Sequence, residues 1–188
     1  MLIKVTIEGT TPLLMNRFHE ASQLAVSGGT SSAQVGNKGT PREQAEPKLY
    51  RDEKGQLYIP GPNIFACLIA AGTFHKAGKS KVTTARSSLV PAGIAVLDLV
   101  CLLGTTKYEV DSRSVVIPST GGRIMCHRPR LDKWKTHFDL IVDTQMFAPK
   151  FVRQLVDDAG AKIGLGDFRP ARKGPFGRFV VKQWREIK

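Results

Sequence analysis

The sequence predicts an α+β protein in which two helices pack on one face of an antiparallel sheet. Three observations predict it. The first and last apolar segments alternate with polar residues, as half-buried strands do. Two internal stretches, each opened by proline, space their apolar residues by three and four, as amphipathic helices do. Short runs rich in β-branched residues lie between those stretches. A chain of 188 residues that is 41% hydrophobic can bury the core of one domain.

The elements follow in order. Leu2-Ile3-Lys4-Val5-Thr6-Ile7-Glu8 alternates and reads as a strand, ended by Gly9-Thr10-Thr11-Pro12. Residues 19–56 change character: Ser27-Gly28-Gly29-Thr30-Ser31-Ser32 and Gly36-Asn37-Lys38-Gly39-Thr40-Pro41 are polar and flexible. Such a stretch buries too little surface to offset its ordering entropy, so it reads as a long insertion after the first strand. Leu57-Tyr58-Ile59 is a short strand. Pro60-Gly61-Pro62 then opens a helix, with Pro62 at its first position and Ile64, Phe65, Leu68 and Ile69 on one face. Gly78 is its expected cap.

The run from Gly93 to Leu103 is almost wholly apolar; its β-branched content favours one central strand, with a helix as the alternative that periodicity leaves open. Arg113–Ile117, Ile124–Arg128 and Thr136–Val142 are further strands, the last two separated by Pro129 and the segment around Trp134. Pro149 opens a second helix over Lys150–Ala159, with Gly160 as its cap. Arg178–Trp184 closes the chain as a strand. This order suits an elaborated β-α-β-β-α-β, ferredoxin-like unit, whose sheet leaves one face free to bind.

Net charge is +12, which favours polyanionic partners, nucleic acid before anionic membrane. The charge is clustered. Lys76, Lys79, Lys81 and Arg86 have no acid among them. Arg123, Arg128, Arg130, Lys133 and Lys135 meet only Asp132. Three cysteines, Cys67, Cys101 and Cys126, are far apart and form no C-x-x-C, so they read as reduced thiols. No metal or cofactor is expected. No apolar run reaches the ~20 residues of a membrane span, and no signal-peptide layout is present. The expectation is a soluble, cytoplasmic protein.

The densest functional signal lies between the second helix and the closing strand. Gly160, Gly164, Gly166, Gly174 and Gly177 alternate with Lys162, Arg169, Arg172, Lys173 and Arg178, and with Phe168 and Phe176. Glycine permits close backbone approach and positive φ. Turns of this kind can expose successive N–H groups to anions. Arg and Lys add charge, and Phe a stacking face. The expected site is a pliable loop gripping a phosphodiester chain through Arg169, Arg172, Lys173 and Arg178. Phe168, Gly164, Gly166 and Gly174 shape it, and Lys76, Lys79, Lys81 and Arg86 form a second wall. Phe168, Phe176 and Trp134 are the stacking candidates, with packing in the core as the alternative reading of each Phe.

Three segments resemble the RAMP superfamily of CRISPR-associated proteins. The first strand ending in Gly9-Thr10-Thr11-Pro12-Leu13 is similar to that family's opening strand and turn. Tyr58-Ile59-Pro60-Gly61-Pro62-Asn63-Ile64 resembles its entry to the first helix, and Ile163–Val181 its glycine-rich loop. A similar layout occurs in small phage proteins of uncharacterised function. The resemblance implies an RRM-like domain that binds guide RNA as a backbone subunit. It also implies several copies of the chain along the strand among other subunits, with residues 19–56 as a thumb-like insertion.

Some RAMP relatives cleave RNA without metal through a histidine. By that resemblance His75 beside Lys76, and His127 beside Arg128, are candidates for an endoribonuclease. Asp52, Asp111 and Asp167 are candidates for the loop aspartate that some backbone subunits use. The residues themselves favour grip over chemistry: the histidines read as part of a basic surface, and Asp167 as the partner of a nearby arginine. A single-stranded DNA-binding role is the third reading, because nothing in the sequence reads a 2′-hydroxyl.

Overall fold

A computed structural model describes residues 1–18, 39–116 and 121–187. Its elements, in chain order, are β1 (Leu2–Gly9), β2 (Leu13–Leu14), α1 (Pro41–Ala45), β3 (Tyr58–Pro60), α2 (Gly61–Ala71), β4 (Lys76–Ala77) and β5 (Ser80–Lys81). They continue with α3 (Val90–Gly93), β6 (Ile94–Val96), β7 (Val100–Leu102), β8 (Glu109–Val116), β9 (Arg123–Leu131), β10 (Lys135–Val142), α4 (Pro149–Asp158) and β11 (Phe179–Ile187).

The central sheet has the order β11-β1-β10-β6, with every neighbouring pair antiparallel. Taking β1, α2, β6, β10, α4 and β11 in sequence gives β-α-β-β-α-β, with the fourth strand beside the first and the third beside the second. That is the ferredoxin-like arrangement the element order predicts. Strand periodicity explains its sidedness. Ile3, Val5 and Ile7 of β1 and Phe138, Leu140 and Val142 of β10 are buried. They meet Ile64 and Leu68 of α2 and Val152, Leu155 and Val156 of α4 in one core.

The opposite face carries Lys4, Thr6, His137, Asp139, Gln183 and Arg185. Its groups are paired in part: Lys4 lies 3.6 Å from Asp139, and the Thr6 hydroxyl donates to Gln183 at 3.3 Å. None of these residues is Phe, Tyr or Trp. Trp184 points the other way, packs against the core, and has the Arg153 guanidinium 5.5 Å from its ring centre. Three smaller units flank the central sheet: β2-β9-β8, the pair β3-β7, and the hairpin β4-β5.

The structure departs from the sequence reading at several points. The run Gly93–Leu103 is two short strands in different sheets, not one. Its middle, at Leu97–Leu99, turns so that the Asp98 carbonyl lies where a Gly61 Cβ would stand, 1.8 Å away. Pro129 does not separate strands. It sits inside β9 opposite Val110, and its carbonyl accepts from the Met15 N–H at 2.9 Å. Pro62 is the second residue of α2, not the first. Gly78 does not cap that helix, which ends at Ala71; Gly78 is the positive-φ tip of the β4-β5 hairpin. Gly160 caps nothing either. It continues α4 into a π-helical turn, Ala159–Ile163, packed under Phe179.

The largest departure concerns residues 19–56. Residues 19–38, His19 included, lie outside the described residues, as do Ile117, the last residue of the expected strand Arg113–Ile117, and Lys188. Residues 41–48 fold. Thr40 caps α1 and forms a capping box with Glu43. Ala45 and Leu49 are buried in the main core, and Lys48 donates to the His127 carbonyl at 2.5 Å. The glycine and serine content hid the signal Thr40-Pro41-Arg42-Glu43. Replacing Leu49 by Ala is therefore expected to cost about 2–5 kcal/mol. Urea unfolding checks it: a midpoint unchanged from wild type returns this stretch to a flexible insertion.

Candidate nucleic-acid interface

The loop from Gly164 to Arg178 leaves the π turn and runs back to β11. It is tied to the segment after β1 by backbone bonds. The Asp167 N–H donates to the Leu14 carbonyl at 2.8 Å and the Gly177 N–H to that of Pro12 at 2.8 Å, while within the loop the Leu165 N–H donates to the Gly177 carbonyl at 2.9 Å. These approaches explain the glycines. A Cβ on Gly177 (φ +72) would stand 1.8 Å from the Leu165 carbonyl oxygen. One on Gly166 (φ +74) would stand 2.3 Å from that of Leu14. The glycines therefore admit the chain's own backbone.

This corrects the reading of a pliable loop offering free N–H groups to anions. Gly164, Gly174 and Gly177 donate to the carbonyls of Ala159, Arg169 and Pro12. The loop is a closed, hydrogen-bonded clasp. A second anchor reinforces it. Asp167 accepts from its neighbour's N–H (Phe168, 2.9 Å) and from the Asn16 amide at 3.1 Å. The mostly buried Arg128 guanidinium lies 2.7 Å from the same carboxylate. The Arg128 Nε–H is not aimed along that contact, so the pair is Coulombic more than a linear hydrogen bond.

The clasp holds the four expected cations in two ways. Arg172 and Lys173 are exposed and have no side-chain partner among the described residues. Arg169 donates to the Gly166 carbonyl at 2.8 Å, and Arg178 to that of Ala161. Those acceptors are neutral, so both guanidinium charges stay uncompensated. Lys76, Lys79 and Lys81 are exposed on the β4-β5 hairpin, and Arg86 lies in the following turn. The hairpin base is fixed to α4 and the π turn. His75 Nε2 lies 3.1 Å from Asp158, and the Lys162 ammonium sits 4.8 Å from the Phe74 ring centre.

The stacking residues come out differently. Trp134 is buried and donates to the Thr11 carbonyl at 2.9 Å. Phe176 is buried too, and the Arg113 guanidinium covers its ring at 4.9 Å. Both are packing residues rather than platforms. Phe168 is half-buried against Phe176 at φ +47.

The aromatic surface that sequence reasoning missed is a pair of tyrosines. A cavity of about 280 Å³ opens between α2, β3 and the clasp. Tyr50 and Tyr58 line it together with Asn16, Asn63 and Arg169, their ring centres 5.7 Å apart. Tyr58 lies in the stretch that resembles the RAMP helix entry, so a signal was present. Tyr50 fell inside the supposed insertion.

The candidate catalytic groups are engaged elsewhere. His75 packs edge-on against Phe151 and faces Asp158; the Ser112 hydroxyl lies 2.7 Å from His127 Nδ1. Both rings are 9% exposed, too little to present a base to a strand on the surface. Asp52 accepts from the Lys54 and Gln56 N–H groups, and Asp111 pairs with Arg113 at 2.8 Å. Burial pushes the Cys67 and Cys101 thiols up to about 12, so neither is a thiolate at neutral pH. Among the described residues no helix is long and apolar enough to cross a membrane.

No family model and no curated protein matches the sequence. Among solved structures, a chain in the cryo-EM structure of the Type III-B Cmr-beta bound to cognate target RNA is similar over 100% of this chain and 60% of its own length. The TM-score is 0.54 at 12% identity. The α+β architecture is thus shared with that chain, of whose length the present chain spans 60%.

The clasp geometry sets a stability test. Gly177→Ala is expected to cost roughly 2–4 kcal/mol, from positive-φ strain and the clash with Leu165. Gly55→Ala, at φ +76 with open space around it, is expected to cost only about 1 kcal/mol. Equal losses for the two, by chemical denaturation, would mean that the clasp is not closed in solution.

Proposed function

We propose that this chain binds single-stranded nucleic acid, RNA in preference to DNA, as a guide-strand-gripping backbone subunit of a CRISPR effector-type ribonucleoprotein. One observation carries the reading: Arg169, Arg172, Lys173 and Arg178 stand on a rigid, hydrogen-bonded clasp with no carboxylate partner among the described residues. Elsewhere in the chain Arg51, Arg113, Arg128, Arg130 and Arg153 are paired, with Glu46, Asp111, Asp167, Asp132 and Asp157. Cations kept unpaired while others are paired suit an external polyanion. The fold likeness to a chain from an RNA-bound complex supports the same reading.

In this proposal the clasp and the β4-β5 hairpin contact successive phosphates. Contacts of that kind fix the strand's position with little sequence preference. Repetition along the strand places several copies of the chain in a row. The chain acts by holding the strand, and cutting it is no part of the proposal.

The test is the salt dependence of binding. Arg172→Gln with Lys173→Asn removes two cations; Asn tolerates the left-handed backbone at position 173. The slope of log affinity against log salt is expected to fall by about 1.4, close to 0.7 for each lost phosphate contact on a single strand. Binding should weaken about equally for all sequences. Filter binding to an oligoribonucleotide and to its deoxy counterpart measures both slope and preference. An unchanged slope removes the clasp from the interface, and a preference for the deoxy strand removes RNA.

A further inference from the structure

The tyrosine-lined cavity has no place in a grip made through phosphates alone. It is small, about 280 Å³, against the ~300–1,000 Å³ of sites that take whole small ligands. A strand does not fit in it, whereas one flat heterocycle does. Leu13, Ile59 and Ile163 contribute apolar wall. Tyr50 and Tyr58 are half-buried, with rings tilted by 58°. Neither hydroxyl has a hydrogen-bond partner among the described residues, and the Asn63 amide has none either.

From this geometry we infer that the cavity receives a single nucleobase drawn out of the bound strand. The inference rests on the single-strand reading above and adds a second mode of holding to it. The base enters between α2 and the clasp and stacks on a tyrosine ring. Asn63 offers a donor and an acceptor side by side, the pattern that matches the edge of a base.

Arg169 supplies the link between cavity and backbone. It lines the cavity, and its Nη1 is fixed on the Gly166 carbonyl. Its remaining donors are left for the phosphate of the extruded nucleotide. The one carboxylate on the cavity lining, Asp167, is neutralised by Arg128 and bonded by Asn16. It therefore does not repel a phosphate at the mouth.

Photocrosslinking of the full chain to an oligouridylate carrying 5-iodouracil tests the inference. The expected result is a crosslink mapped by mass spectrometry to Tyr50 or Tyr58. Ala66→Phe fills the cavity from the exposed side of α2. It is expected to lose that crosslink and weaken binding by about 5- to 150-fold, one stacked base's worth, with the salt slope unchanged. A strand of abasic sugar-phosphate should bind the wild type and this variant equally.

Crosslinks found only outside the cavity overturn the inference and leave the phosphate grip standing. So does an Ala66→Phe affinity within twofold of wild type. Failure to bind any single strand overturns both readings. If the variant does not fold, the crosslink map of the unaltered chain still decides.

Discussion

The backbone seam between the glycine-rich clasp and the segment Pro12–Leu14 is the constraint on which the rest depends. It joins positions more than 150 residues apart in the chain through main-chain bonds at Asp167 and Gly177. Main-chain bonds of this kind demand close approach, and only glycine allows it where a Cβ would fall within 2.3 Å of a carbonyl oxygen. Once the seam is made, the positions of Arg169, Arg172, Lys173 and Arg178 follow, as does one wall of the tyrosine cavity. Little ordering entropy is then left to be lost when a ligand arrives.

The electrostatic design separates the clasp cations from a set of arginines held in ion pairs. Arg128 holds the clasp from below through Asp167, and Arg113 covers Phe176 while pairing with Asp111. These serve packing, and their charge is cancelled. The clasp cations bond neutral carbonyls or nothing. A guanidinium that donates to a peptide oxygen gains orientation without losing its field, which suits it to meet an anion from outside.

Much of this was legible in the sequence. The patterns in Leu2–Glu8 and Thr136–Val142 placed the two middle strands of the sheet, and Pro60 and Pro149 marked both helix entries. The clustered cations around Arg172 were plain. What stayed hidden depended on contacts between distant segments. The composition around Gly164–Gly177 signalled glycine without saying whether it admits a ligand or another strand of the same chain. Gly93–Leu103 looked like one strand because apolar content does not reveal where a chain changes sheets. Tyr50 was lost because a capping box at Thr40 is faint beside a run of Gly and Ser. Trp134 and Phe176 stayed open as stacking candidates, the latter beside its core reading, since an aromatic residue in a basic region says nothing about its burial.

Lys173 adopts a left-handed backbone, at φ +60, where a side chain with a Cβ is unfavourable by about 1–2 kcal/mol. Glycine would relieve that strain and remove a cation in the same stroke. Under the proposed grip, thermal robustness and anion affinity are set against each other at one position, and Lys173→Gly should raise the melting temperature while weakening the hold on a strand. Selection for hardiness alone would be expected to erase this lysine, so its persistence in natural variants of the chain is a direct gauge of how much the charge is needed.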